Sequence, residues 1–147
     1  MTVQEVLNLN NAVIDAWNSH DAEKFLVLCD SNIVWQDSGA PDPFKGKDGA
    51  KMFYNMWNTA FPDFKIRLVS TIANETGAAC EIEFSGSNTG PLRMPGQPEI
   101  PTTGKKITAN KGTYFATMKN GKVTAVNTYP DMINMMMQLG LMQEQHA

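Results

Sequence analysis

A chain of 147 residues, 42% apolar and 18% charged, has the composition of one ordinary globular domain, which excludes disordered, collagen-like and disulfide-scaffold classes. The formal net charge of −3 supplies no basic footprint for nucleic acid or an anionic membrane surface. No apolar run approaches the roughly 20 residues that span a bilayer, and residues 1–10 lack the cationic and apolar regions of a secretory signal. Cys29 and Cys80 stand alone, without zinc-site spacing, and predict two buried, reduced thiols in a cytoplasmic protein.

Val3, Val6, Leu7, Val13, Ile14 and Trp17 recur at helical spacing and predict a first amphipathic helix. Asp21 is placed to cap a short second helix that turns Phe25 and Leu28 inward. Asp30-Ser31-Asn32 reads as a turn and Ile33 to Asp37 as the first strand. Two prolines and two glycines make Ser38 to Gly46 a loop. The next helix carries Ala50, Phe53, Met56, Trp57 and Ala60 on one face, and Pro62 ends it.

Beyond Asp63 the period changes to two. Phe64, Ile66 and Leu68 alternate with Lys65 and Arg67, a turn follows at Glu75-Thr76-Gly77, and Cys80, Ile82 and Phe84 mark the return strand. A segment rich in glycine and proline, Ser85 to Gly104, separates this hairpin from a second one. That hairpin runs from Ile107 to Met118 and from Val123 to Tyr129 about Lys119-Asn120-Gly121. A short helix, Met132 to Leu139, closes the chain. The order predicts one α+β domain over residues 1–147, its helices laid in the concavity of a bent antiparallel sheet without a parallel crossover, enclosing a pocket.

Familiar motifs fail on spacing. Gly104-Lys105 lacks the glycine a phosphate loop requires five positions earlier, where Glu99 stands. Asn74-Glu75-Thr76 is a formal glycosylation sequon that reads as a hairpin tip. His20 and His146 are the histidines, one in a helix turn and one beside the C-terminus, which argues against a histidine triad or a metal site. The methionines from Met132 to Met137 read as adaptable apolar lining. What remains is carboxylates beside aromatics: Asp37 two residues after Trp35, and Asp131 two after Tyr129, each on its neighbour's face of a strand. Burial against rings raises a carboxylate's pKa towards the range useful for acid–base work, whereas the plainer alternative makes each a cap, Asp131 for the last helix. Trp35, Phe53, Trp57, Phe61, Tyr129 and Met135 are the expected pocket walls.

The sequence resembles the SnoaL-like polyketide cyclase family of the nuclear transport factor two-like superfamily. The resemblance lies in Trp17-Asn18-Ser19-His20-Asp21, Trp35-Gln36-Asp37, Phe44-Lys45-Gly46-Lys47-Asp48-Gly49 and Ala60-Phe61-Pro62-Asp63. It continues in Gly86-Ser87-Asn88-Thr89-Gly90, Pro101-Thr102-Thr103-Gly104-Lys105, Tyr129-Pro130-Asp131 and Gln138-Leu139-Gly140-Leu141. It implies a cone-shaped curved sheet wrapped around N-terminal helices, and ring closure by intramolecular aldol condensation without metal or cofactor. It also implies an acid–base aspartate at the end of the last strand, the position of Asp131. Asn127 stands where such cyclases carry a bulkier ring against the substrate. Ketosteroid isomerases share the superfamily, and Asp37 matches the place of their general base, although Val13 stands where their oxyanion tyrosine lies. A non-catalytic binding module of the same fold is the alternative from another class. The expected partners are a small apolar ligand and a second copy of the chain, paired through the outer sheet face. Leu92, Met94 and Ile100 are expected to fold over the pocket mouth or over a partner subunit, with Arg93 within reach of the ligand; the alternative is an ordered surface excursion that packs its own side chains.

Overall fold

The computed structural model describes residues 1–142, so His146 lies outside the described residues. Helix α1, Val3–Asn18, opens with a capping box in which Thr2 and Glu5 satisfy each other's backbone N–H groups. Asp21 caps α2, Ala22–Leu26, by accepting from the Glu23 N–H. Strand β1 covers Cys29–Asp37, β2 Phe44–Lys45, and α3 Gly46–Ala60. The long strands β3, Lys65–Ala73, and β4, Gly77–Ser87, form one hairpin; β5, Lys106–Lys119, and β6, Lys122–Pro130, form the other. Helix α4, Met132–Gln138, completes the order. The turn expected at Asp30–Asn32 is instead an irregular start of β1: the Asp30 carboxylate accepts from the Asn32 N–H at 2.8 Å, and the register slips between Cys29 and Val34.

All six strands join one curved open sheet in the order β2-β1-β6-β5-β4-β3. Four of its five junctions are antiparallel. The fifth corrects the expectation of a wholly antiparallel sheet, because β1 pairs parallel to β6. β1 precedes the meander and joins its last strand, so the chain returns to this edge only after both hairpins are laid down. Asn120 and Gly121, with φ of 53° and 75°, turn the β5–β6 hairpin through the two left-handed positions of a type I′ turn.

α1 and α3 fill the concave side. Trp17 lies at the centre, its ring 5.1 to 6.0 Å from those of Phe25, Trp35, Phe53, Tyr54 and Phe64. Such offset and edge contacts add to the area these rings bury. Every residue of the apolar face expected for α3 is buried. His20 ties the α1–α2 turn to the far end of α3, with Nδ1 2.8 Å from Asn58 Oδ1 and Nε2 2.9 Å from the Phe64 carbonyl oxygen.

Candidate active site

Between α1, α3 and the inner sheet face lies a cavity of about 100 Å³. Its walls are almost wholly apolar, with Val13, Trp17, Trp35, Phe53, Trp57 and Phe84 prominent among them. Asp37 lies on this wall and is 1% exposed. It ends β1 on the same face as Trp35, as the two-residue spacing requires. The Thr128 hydroxyl donates to Asp37 Oδ2 at 2.6 Å and the Gly39 N–H to Oδ1 at 2.8 Å. Burial pushes the Asp37 carboxyl above the usual carboxylate range, and those two hydrogen bonds pull it part of the way back. Thr128→Val removes the stronger restraint. We expect the acid limb of any Asp37-dependent pH–rate profile to move up by roughly one pH unit, because a base that holds its proton more tightly is free only at higher pH.

The sheet brings four further polar groups level with Asp37. Asp37 pairs with Thr128, Thr128 with Tyr114, Tyr114 with Cys80 and Cys80 with Thr71, a single row across β1, β6, β5, β4 and β3. From α1, buried Asn10 meets this row: its Oδ1 accepts from the Tyr114 hydroxyl at 2.6 Å and from the Cys80 thiol at 3.5 Å. Burial pushes the Tyr114 hydroxyl well above its ordinary pKa and raises the Cys29 thiol to about 12, so neither group supplies an anion near neutral pH. Among the described residues, no cluster of three or more His, Cys, Asp or Glu side chains is arranged to hold a metal ion.

Of the residues singled out from the sequence, Asp37, Trp35, Phe53 and Trp57 meet at the cavity. Phe61 and Met135 are fully buried but off its wall; Phe61 packs on Trp57 and Phe84. Asn127, Tyr129 and Asp131 are exposed on the far side of β6, a correction with a definite cause. Thr117 pairs with Ala125 but Met118 with Val123, so Thr124 is an extra residue. This β-bulge inverts the alternation beyond it. Val123, Val126 and Thr128 consequently face inward, while Tyr129 packs against exposed Phe115 at 6.2 Å. Asp131 caps α4, accepting from the Asn134 N–H at 2.9 Å. Asp131→Ala is therefore expected to cost about 1 kcal/mol of stability in urea titrations. Activity arising in the cavity is expected to stay at the level of the unmodified protein.

Residues 88–104 form an ordered excursion that packs its own side chains rather than a cover over the pocket mouth. Leu92 and Met94 are buried, yet neither they nor Ile100 line the cavity. Leu92 and Ile100 exchange two backbone hydrogen bonds, and Arg93 turns outward to Glu99 rather than towards a ligand. The segment packs instead on α3 and on the turn after β1. A Cβ at Gly90 would lie 2.1 Å from the Thr59 carbonyl oxygen, and one at Gly96 2.5 Å from Pro41.

The family model for SnoaL-like polyketide cyclases matches residues 8–139. The chain belongs to this family. Solved structures give the same fold. A provisionally assigned SnoaL-like polyketide cyclase from Jannaschia sp. CCS1 superposes with a TM-score of 0.81 at 12% identity, over 95% of this chain and 94% of that one. AclR from Streptomyces galilaeus, provisionally a hydroxylase, gives 0.79 at 20% identity over 99% and 87%. A provisionally assigned ketosteroid isomerase from Kribbella flavida DSM 17836 gives 0.64 at 13% identity over 87% and 78%. No curated protein matches the sequence. Asn10, Tyr114 and Thr128 were not apparent as site residues from sequence, although Asn10 sits four positions from both Val6 and Ile14, a polar residue within an apolar stripe.

Proposed function

We propose that this SnoaL-like protein is a cofactor-independent acid–base enzyme in which Asp37, rather than Asp131, moves a proton at a carbon beside a carbonyl group. The carrying observation is a buried carboxylate in an apolar cavity, with its pKa raised by burial and its position fixed by Thr128 and Gly39. A C–H next to a carbonyl is acidic enough for such a base once the enolate charge is shared with a hydrogen-bond donor. The likeness to ketosteroid isomerase-type structures supports this placement of the base, and family membership supports an aldol or isomerase outcome. The volume of about 100 Å³ limits the substrate. An engineered void of about 150 Å³ accepts benzene, so the enclosed part of this cavity suits a single small ring or a short chain.

The test is deuterium exchange at the carbons beside the carbonyl of cyclopentanone in D2O, followed by proton NMR. The unmodified protein should accelerate exchange, and Asp37→Asn should lower the acceleration at least 100-fold. Exchange that survives Asp37→Asn sinks the assignment.

The proposal extends to assembly and compartment. Ile72, Phe115, Tyr129 and Val34 are exposed on the outer sheet face, a combination that supports pairing of two copies through it. Light scattering at micromolar concentration should return twice the chain mass, and Phe115→Glu should return the monomer. Two free, buried cysteines suit a reducing cytoplasm, and no helix of the described residues is long and apolar enough to cross a membrane.

A further inference from the structure

We infer that the side-chain amide of Asn10 is the anchor for the ligand's oxygen, held in the donating orientation by Tyr114 and Cys80. The inference rests on the acid–base reading of the cavity and adds a second polar group on the wall that carries Asp37. Asn10 is 1% exposed and lies on the cavity wall. Two donors, the Tyr114 hydroxyl and the Cys80 thiol, converge on its Oδ1, which fixes the amide with its NH2 group turned away from both. That Nδ2 has no partner. A buried amide nitrogen without an acceptor is costly, and native proteins retain such a group where a ligand or ordered water completes it.

The remaining unpartnered atoms agree. On the cavity wall, among the described residues, the buried polar side-chain atoms lacking a partner are Asn10 Nδ2, Trp17 Nε1 and Trp35 Nε1. All three are donors. A site with spare N–H groups and one carboxylate selects a neutral molecule that brings an acceptor oxygen and an acidic hydrogen, as a small ketone or its enol does. The sheet also sets the scale. Asp37 and Tyr114 are two strands apart in one row, about 10 Å between backbones with Thr128 between them, so one small ring lying over Thr128 would span the distance from the Asn10 side to Asp37. With its oxygen on Asn10, such a ring directs the carbons beside the carbonyl towards Asp37. As Asp37 takes a proton from carbon, the C–H electron pair enters the enolate and negative charge accumulates on the oxygen that the Asn10 N–H holds. Returning the proton to carbon restores both groups.

The experiment compares cyclopentanone with methylenecyclopentane, which has the same shape without the oxygen. The unmodified protein should bind the ketone about tenfold more tightly, and Asn10→Leu, which keeps the volume, should bring the ratio to about one. Asp37→Asn should keep the tenfold ratio while losing deuterium exchange, so failure of the anchor and failure of the base are read separately. Should Asn10→Leu not fold, the side-chain amide resonances of Asn10 in 15N-labelled unmodified protein carry the test. They should move downfield with cyclopentanone and stay in place with methylenecyclopentane. Equal affinity for the two probes in the unmodified protein, a tenfold ratio retained in Asn10→Leu, or unmoved amide resonances would each overturn the inference.

Discussion

Asp37→Asn should make the protein more stable at pH 7 while it removes the proposed proton transfer. The folded-state pKa of Asp37 is raised, chiefly by burial, so between its unfolded and folded values the native state binds the extra proton. Its contribution to stability is full below the unfolded value, about 3.9, and is lost as pH rises through the folded value. Above the folded value the buried group is ionised at a cost. Asparagine keeps the local geometry: its oxygen accepts from the Gly39 N–H and its NH2 group donates to Thr128 Oγ1, whose hydroxyl turns to accept. A gain of about 1 kcal/mol is expected at pH 7, shrinking towards zero near pH 4, because a protonated Asp37 resembles asparagine in charge. Urea midpoints at the two pH values read the difference. A variant less stable than the unmodified protein at pH 7, or a gain independent of pH, would show that Asp37 is a structural carboxylate rather than a strained functional one.

The helices were legible because their signals are local. Asp21 caps where capping chemistry places it, and the inward face of α3 follows directly from the spacing of Ala50, Phe53, Met56, Trp57 and Ala60. Strands β3 to β6 were legible in extent but not always in facing, whereas β1 begins four residues before the expected Ile33 and β2 lies within the expected loop of Ser38 to Gly46. In β1, Trp35 and Asp37 share a face without interruption, and both line the cavity. In β6 both alternating sets contain apolar side chains, and no glycine or proline marks the bulge at Thr124. Counting in twos from Val123 therefore carries Asn127, Tyr129 and Asp131 to the inside, where the folded chain has Val126 and Thr128. The row from Asp37 to Thr71 draws on all five of the longer strands, and its polar neighbours arise from register across hairpins. No window of sequence contains that information. Asn10 left only a faint signal, a polar side chain on an apolar helical stripe, which by itself names neither a partner nor a site.

Asn88→Ala should be among the most damaging single changes outside the aromatic core. Asn88 is wholly buried at the base of residues 88–104 and makes four side-chain hydrogen bonds. Its Nδ2 donates to the carbonyl oxygens of Ala60 at 3.2 Å and Gly90 at 2.8 Å, and its Oδ1 accepts from the Thr103 N–H and hydroxyl, both at 2.8 Å. One side chain thus pins both ends of the excursion to the end of α3. At about 0.5–1.5 kcal/mol for each bond, with partners left unpaired, alanine should cost roughly 2–4 kcal/mol and lower Tm by on the order of 10 °C. The loss should reach the cavity in a graded way. Met94, carried by this segment, lies beside Gly39, where an added Cβ would sit 3.5 Å from its Sδ and 3.2 Å from Asp37 Oδ1. The Gly39 N–H is one of the two donors that hold the carboxylate. Once residues 88–104 loosen, that turn loses its cover, so exchange at cyclopentanone should fall several-fold without vanishing, since Thr128 still restrains Asp37. Amide hydrogen exchange provides the spatial reading: protection should drop at Leu92 and Ile100, whose N–H groups close the segment's own bridge, and persist along β5 and β6. Unchanged Tm with unchanged protection at Leu92 would mean that the buried contacts of Leu92 and Met94 hold the segment without the Asn88 clamp.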